Sequence, residues 1–336
     1  MGQRDRIPPA RFTVPWSCCQ GWEFLGCRHG LALLICRARR EALVWDPLTG
    51  HQRRVAFPPW FSLERGKLVQ NAAVMCAAAS QDGHVHVHGD CRFTPFRLAL
   101  VGCSVGRDSN GTHKFACLYE SETGVWGNII TVGTPHSVYT SRPSVLVRDA
   151  FCWLLSEGAI LQFDFQSQSI AVIQKPADAN PVDCWSFFVI RTESSGLGLA
   201  VLPKSECPSK SIQLWERKCN FDDVVGWELQ KTIQLDVLFS LGSDVVMMQD
   251  HYFSDLNTLI LVYRGSTFFG DYMLQLESKK FINLIEKQRG CLSTRTYCPY
   301  RNFYLTGSRD GARDGGAEMS TQYIIVPLGM LMCYVC

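Results

Sequence analysis

The run Leu43-Val-Trp-Asp-Pro-Leu-Thr-Gly50, continued by His51–Phe57, decides the architecture. It reads as an apolar strand, a polar turn and a second strand. Trp45 fills a core face, an acidic residue follows it, and Thr-Gly reverses the chain. Four further stretches repeat the pattern. They are Ala116–Gly124 with Val125–Ile130, Ile160–Gln168 with Ser169–Ile173, Ile212–Lys218 with Trp227–Ile233, and Tyr272–Ser278 with Lys279–Leu284. The large side chains that mark the copies are Trp45, Tyr119, Phe163, Trp215 and Leu274, at intervals of 74, 44, 52 and 59 residues. A spacing of about 40–50 residues is that of a four-stranded propeller blade. The first gap has room for loops or for an additional blade.

Working outward, the other apolar segments are equally short. Gly30–Cys36, Ala72–Ala79, Phe96–Gly102, Phe151–Leu155, Leu197–Leu202 and Leu259–Tyr263 have strand length and strand composition. Helical period is confined to Asp236–Leu241 and Phe281–Lys287. Many short strands with frequent turns indicate a sandwich, a barrel or a propeller, and the repeat selects among them. The expected fold is all-β and β-propeller-like (kelch-like), with about five to six blades of antiparallel strands. Residues 1–15 read as an N-terminal extension, 16–306 as the propeller-like interaction domain and 307–336 as an atypical tail. Within that tail, residues 323–336 read as a buried terminal strand or a poorly ordered end.

Composition narrows the function classes. Of 336 residues, 46% are apolar and 19% charged, so a large core can form. Thirty-three basic against 31 acidic residues leave a net charge of +2, which gives no general field for nucleic acid or anionic lipid. The basic cluster Arg37, Arg39, Arg40, Arg53 and Arg54 flanks a turn and reads as a solvated edge. No apolar run reaches the roughly 18–20 residues of a membrane helix. The 16 cysteines fall largely inside apolar runs (Cys36, Cys76, Cys103, Cys117, Cys152), and residues 1–15 lack a signal-peptide core. Free thiols in a cytoplasmic or nuclear compartment, without secretion, are expected.

Three local patterns bear on chemistry. His84, His86 and His88 alternate along a strand and share one face, where neutral imidazoles suit zinc; the plainer reading is a polar strand face. Gly102-Cys-Ser-Val-Gly106 has the letters of a hydrolase elbow around Ser104, but a turn and another strand follow where a helix is needed. Cys333 and Cys336 form a C-x-x-C pair without a second pair beside it. Trp45, Trp153 and Trp215 read as core. The alternative to a binding domain is a propeller-scaffold hydrolase using Ser104, or a metal-binding protein using the three histidines.

Phe24–Leu34, Leu43–Arg54, Gly83–Cys91, Tyr119–Asn128 and Ser211–Arg217 together resemble the β-propeller (F-box-associated) domain of a large grass family of F-box proteins. The likeness extends over about residues 16–304. It implies a non-enzymatic domain without cofactor that holds a protein substrate for an SCF-type ubiquitin ligase. Residues 1–15 hold no Leu-Pro-x-x-Leu pattern, so the resemblance implies a Skp-type adaptor only where an F-box is supplied elsewhere.

Overall fold

In a computed structural model the described residues are 21–47, 49–61, 66–77, 95–104, 113–179, 187–201, 211–219, 225–234, 246–253, 258–264, 268–276, 281–288, 295–300 and 322–327. From residue 246 onward the description is of the backbone, apart from two leucines named below.

The chain forms successive antiparallel meanders. Sheet 1 contains β1 (Trp22–Arg28), β2 (Leu31–Cys36), β3 (Glu41–Trp45) and β4 (Gln52–Ala56). Sheet 2 contains β5 (Lys67–Cys76), β6 (Phe96–Ser104) and β7 (His113–Glu120). Its outer strand is broken into β8 (Val125–Trp126) and β9 (Ile130–Gly133), which both pair with β7. Sheet 3 contains β10 (Val145–Val147), β11 (Ala150–Leu154), β12 (Ile160–Asp164) and β13 (Ser169–Ile173). Sheet 4 contains β14 (Phe187–Arg191), β15 (Leu197–Val201), β16 (Ser211–Cys219) and β17 (Val225–Gln234). Sheet 5 contains β18 (Val246–Phe253), β19 (Thr258–Arg264), β20 (Phe268–Gln275) and β21 (Phe281–Gln288). A two-stranded sheet 6 pairs β22 (Arg295–Tyr300) with β23 (Gln322–Pro327).

Each sheet touches the next, and β22 touches both β18 and β1, so the six sheets close a circle. First strands meet first strands at β1–β5, β10–β14, β14–β18, β18–β22 and β22–β1, which places them innermost. This is a β-propeller, at the upper end of the expected blade number. All five repeat copies are the hairpin between third and fourth strands of sheets 1 to 5. No additional sheet lies in the 74-residue interval among the described residues, because β5 and β6 there pair directly with each other. Phe281–Lys287, which carries a helical period but also the second strand of the fifth copy, is a strand: it forms β21, paired along its length with β20. Asp236–Leu241 lies outside the described residues. β23 falls within the stretch read as a tail and is the terminal strand expected there.

Both faces of an internal blade are covered, so its strands are apolar at consecutive positions. Ala72, Val74, Leu98, Leu100, Phe115 and Cys117 of sheet 2 pack on Leu33, Ile35, Ala42 and Val44 of sheet 1. The alternate residues Ala73, Met75, Ala99, Val101, Ala116 and Leu118 pack on Phe151, Trp153, Leu161 and Phe163 of sheet 3. Leu274 and Leu276 of sheet 5 join the core shared by sheets 3 and 4. Trp45, Trp153 and Trp215 are buried, as expected from the sequence. At Gly102 a Cβ would stand 2.0 Å from the Leu68 carbonyl and 2.6 Å from the Phe115 ring, so the β-bulge opposite, between Val69 and Asn71, requires glycine.

The acidic residue after each of the first three markers has a mechanical role. Asp46 O accepts from Gly50 N at 2.8 Å, while Asp46 Oδ2 accepts from the Thr49 hydroxyl at 2.8 Å. Glu120 O accepts from Gly124 N at 2.9 Å in the same five-residue turn. Asp164 Oδ1 accepts from the backbone of Gln166 and Ser167. Gly50, Gly124 and Gln168 close these turns with φ of +76°, +73° and +48°, a left-handed conformation that glycine adopts without steric cost.

Candidate functional site

Antiparallel meanders put the strand one–two and three–four turns at one end of the circle. The two–three turns and the sheet-to-sheet connections lie at the other. Two features stand out at or near that second end: a segment crossing the middle, and a basic band on sheets 1 and 2.

The crossing segment is residues 139–144, which leads into β10. Asn71, fully buried on the inner strand β5, donates from Nδ2 to the carbonyls of Tyr139 (2.9 Å), Thr140 (3.2 Å) and Arg142 (2.7 Å). Its Oδ1 accepts from Ala72 N at 2.7 Å. Arg28, at the end of inner strand β1, donates to Ser144 O at 2.7 Å and Ser144 Oγ at 3.3 Å, and its guanidinium lies over the Phe151 ring. Arg142 donates to the Phe187 carbonyl at the start of inner strand β14 and lies 4.5 Å from the centre of the Phe188 ring. Arg28, Asn71, Arg142 and Ser144 are all buried. Their polar atoms compensate one another in a place where water is excluded. The segment therefore ties together the inner strands of sheets 1, 2, 3 and 4.

The expected solvated edge holds, since Arg37, Arg39, Arg40, Arg53 and Arg54 are all exposed, and two of them also reach across to sheet 2. Arg37 donates to Val69 O and Gln70 O of β5 and pairs with Glu23. Arg53 donates to Ser121 O and lies over Phe96. Both span to the neighbouring blade, because carbonyls at blade junctions need donors that the strand ladders leave out. Arg39 and Arg54 share Glu41 at 3.9 Å and 3.5 Å. Arg40 Nη2 reaches Pro59 O at 3.4 Å, and Lys67 lies over the half-buried Trp60.

A recurring tie between outer strands was missed from sequence. Trp126 Nε1 of β8 donates to Ala56 O of β4 at 3.0 Å. Trp227 Nε1 of β17 donates in the same way to Gln174 O, just past β13, at 2.7 Å. The signal lies in the repeat, where Trp follows the turn in both the second and fourth copies. Glu216 of β16 is also buried. It accepts from Thr192 at 2.6 Å, from Ser194 and from Lys218 at 3.2 Å. Burial raises its pKa, but the hydroxyl and ammonium donors outweigh burial and hold the carboxyl below its ordinary range. It pins the β14–β15 turn.

No family model matches the sequence, and no curated protein matches it significantly. Solved structures do match over most of the chain. An acylaminoacyl peptidase of Pyrococcus horikoshii is 11% identical with a TM-score of 0.40, over 77% of this chain and 37% of that one. BamB of Moraxella catarrhalis is 9% identical with a TM-score of 0.32, over 80% and 63%. The PQQ-bound aldose sugar dehydrogenase of Streptomyces coelicolor is 12% identical with a TM-score of 0.38, over 93% and 95%. The chain thus spans well under half of the peptidase. Likenesses at these identities and TM-scores carry no activity with them.

Of the residues singled out for chemistry, His84, His86, His88, Cys333 and Cys336 lie outside the described residues. Among the described residues no cluster of three or more His, Cys, Asp or Glu side chains is placed to hold a metal. Ser104 is the last residue of β6, with its hydroxyl 3.5 Å from the His113 carbonyl, and β7 is the next element described. No helix of the described residues is long and apolar enough to cross a membrane.

Cys36, Cys76, Cys103, Cys117 and Cys152 are buried thiols, while Cys219 is an exposed one. Burial raises the Cys117 thiol far above its ordinary value and pushes Cys152 up to about 12. Since the thiolate is the nucleophile, brief maleimide treatment of the native protein should modify Cys219 and leave these five unreacted until denaturant is added. Peptide mass mapping reads the result. Native labelling of Cys117 or Cys152 would contradict the packing of sheets 2 and 3.

Proposed function

We propose that this chain is a protein-interaction scaffold whose partner is held by loops and strand edges on the propeller, without bond chemistry. The observation that supports it is how the buried charges are used. Arg28, Arg142 and Glu216 are spent on carbonyls and hydroxyls that fix the crossing segment and a turn. What the fold presents to solvent is a rigid circle bearing turns at both ends, the arrangement in which connections serve binding. The resemblance to F-box-associated propellers makes the partner a protein substrate of a ubiquitin ligase. A Skp-type adaptor would engage through an F-box outside residues 16–306.

The test is capture of the tagged, cross-linked chain from plant cells, with EDTA present and absent. A defined protein recovered equally in both conditions supports the scaffold. Recovery of nothing above a heat-unfolded control overturns it. Recovery of the partner without any Skp-type adaptor removes the ligase part and leaves the scaffold standing.

A further inference from the structure

We propose that the basic band on sheets 1 and 2 docks an acidic peptide segment of the partner. This proposal rests on the interaction-scaffold reading and names the chemistry of what is bound.

The band is contiguous. It runs from Arg54 through Glu41 to Arg39, across the turn to Arg40, from Arg40 to Pro59, and on through Trp60 to Lys67. Arg37 lies beside it on Val69 and Gln70, paired with Glu23. Five cations stand against two carboxylates, a surplus of three, whereas the whole chain carries +2. Arg37, Arg39 and Arg54 keep 39%, 41% and 47% of their side-chain surface exposed. Arg39 and Arg54 share Glu41, and Arg54 also lies over the Trp22 ring. Arg40 meets a neutral carbonyl at the long distance of 3.4 Å.

Two further observations separate this corner from an ordinary charged surface. Arg40 has φ of +56°, in the region where glycine is unstrained, so a long cation occupies a position that the turn would fill more cheaply with glycine. Beside the charges is an apolar surface, the half-buried Trp60 ring. Guanidinium groups next to a Trp face suit a segment alternating carboxylates with apolar side chains. A duplex nucleic acid is a poorer fit, since tight binding draws on about 6–10 phosphate contacts and the band offers few free cations beside its two carboxylates.

The experiment measures fluorescence anisotropy of a short fluorescein-labelled peptide of alternating Glu and Leu, and of its counterpart with Gln for Glu. Proteins are the parent chain and the triple variant Arg39→Glu, Arg40→Glu, Lys67→Glu, checked for an unchanged melt. The acidic peptide should bind the parent at least tenfold more tightly than the Gln peptide, and the triple variant should lose at least tenfold. Equal binding of both peptides, no effect of the variant, or displacement of the acidic peptide by equimolar duplex DNA would overturn the proposal. The cross-linked capture repeated with the triple variant separates the two levels. A partner lost with the variant supports the band. A partner retained overturns the band and leaves the scaffold intact.

Discussion

Asn71→Leu should destabilise the protein by about 2–4 kcal/mol and lower its Tm by roughly 5 °C or more. Leucine nearly matches asparagine in size, so little cavity is opened. What is lost is one amide that serves the carbonyls of Tyr139, Thr140 and Arg142, together with the acceptor of Ala72 N. Asn71 is fully buried, so water cannot replace the donor without the segment moving. The segment is also held by Arg28 through Ser144 and by Arg142 through Phe187, so the damage should spread to the inner edges of sheets 1 and 4. Hydrogen exchange should show faster exchange at β1 and β14 along with the lower melt. An Asn71→Leu protein as stable as the parent, with unchanged exchange, would mean that the crossing segment is not held by this amide.

The sequence disclosed the outer half of each blade better than the inner half. Third-to-fourth-strand hairpins are local, and their turns carry recognisable chemistry at Asp46–Gly50, Glu120–Gly124 and Asp164–Gln168. Buried thiols were also legible, because Cys117 and Cys152 lie in runs with no polar neighbour and Cys36 ends such a run. Long-range polar contacts were not. Arg37 and Arg53 read as solvated and are exposed, but nothing nearby in sequence reveals that they also donate to Val69, Gln70 and Ser121. Asn71 left a faint trace as the only Asn within the run Leu68–Ala79. Phe281–Lys287 was ambiguous because apolar residues at 281, 282, 284 and 285 fit a helix face as well as a strand, and pairing with β20 decided the matter. The basic band is spread over a turn, a connection and two strands, which no linear motif joins.

Lys114→Met should stabilise the protein by about 1–3 kcal/mol at neutral pH, a gain in the direction expected when a cation is buried away from water. Lys114 lies in β7, opposite Cys103 on β6 and Val132 on β9, and is 1% exposed. Burial lowers its pKa from 10.5, with the neighbouring Cys103 acting weakly the other way. Below the lowered pKa both folded and unfolded chains carry the proton, and the full penalty of burying the charge applies. Between that pKa and 10.5 the unfolded chain binds more protons than the folded one, so the stability due to this residue rises with pH. The gap between parent and Lys114→Met should therefore be widest at low pH and close as pH approaches 10.5. The raised thiols of Cys117 and Cys152 act oppositely, favouring unfolding as pH climbs past the ordinary thiol range. They are common to both proteins and cancel in the difference. Urea titrations of the pair from pH 6 to pH 10 measure this directly. A gap that stays constant, or widens with pH, would place the Lys114 ammonium in contact with water or an anion and would require β7 to face sheet 3 differently.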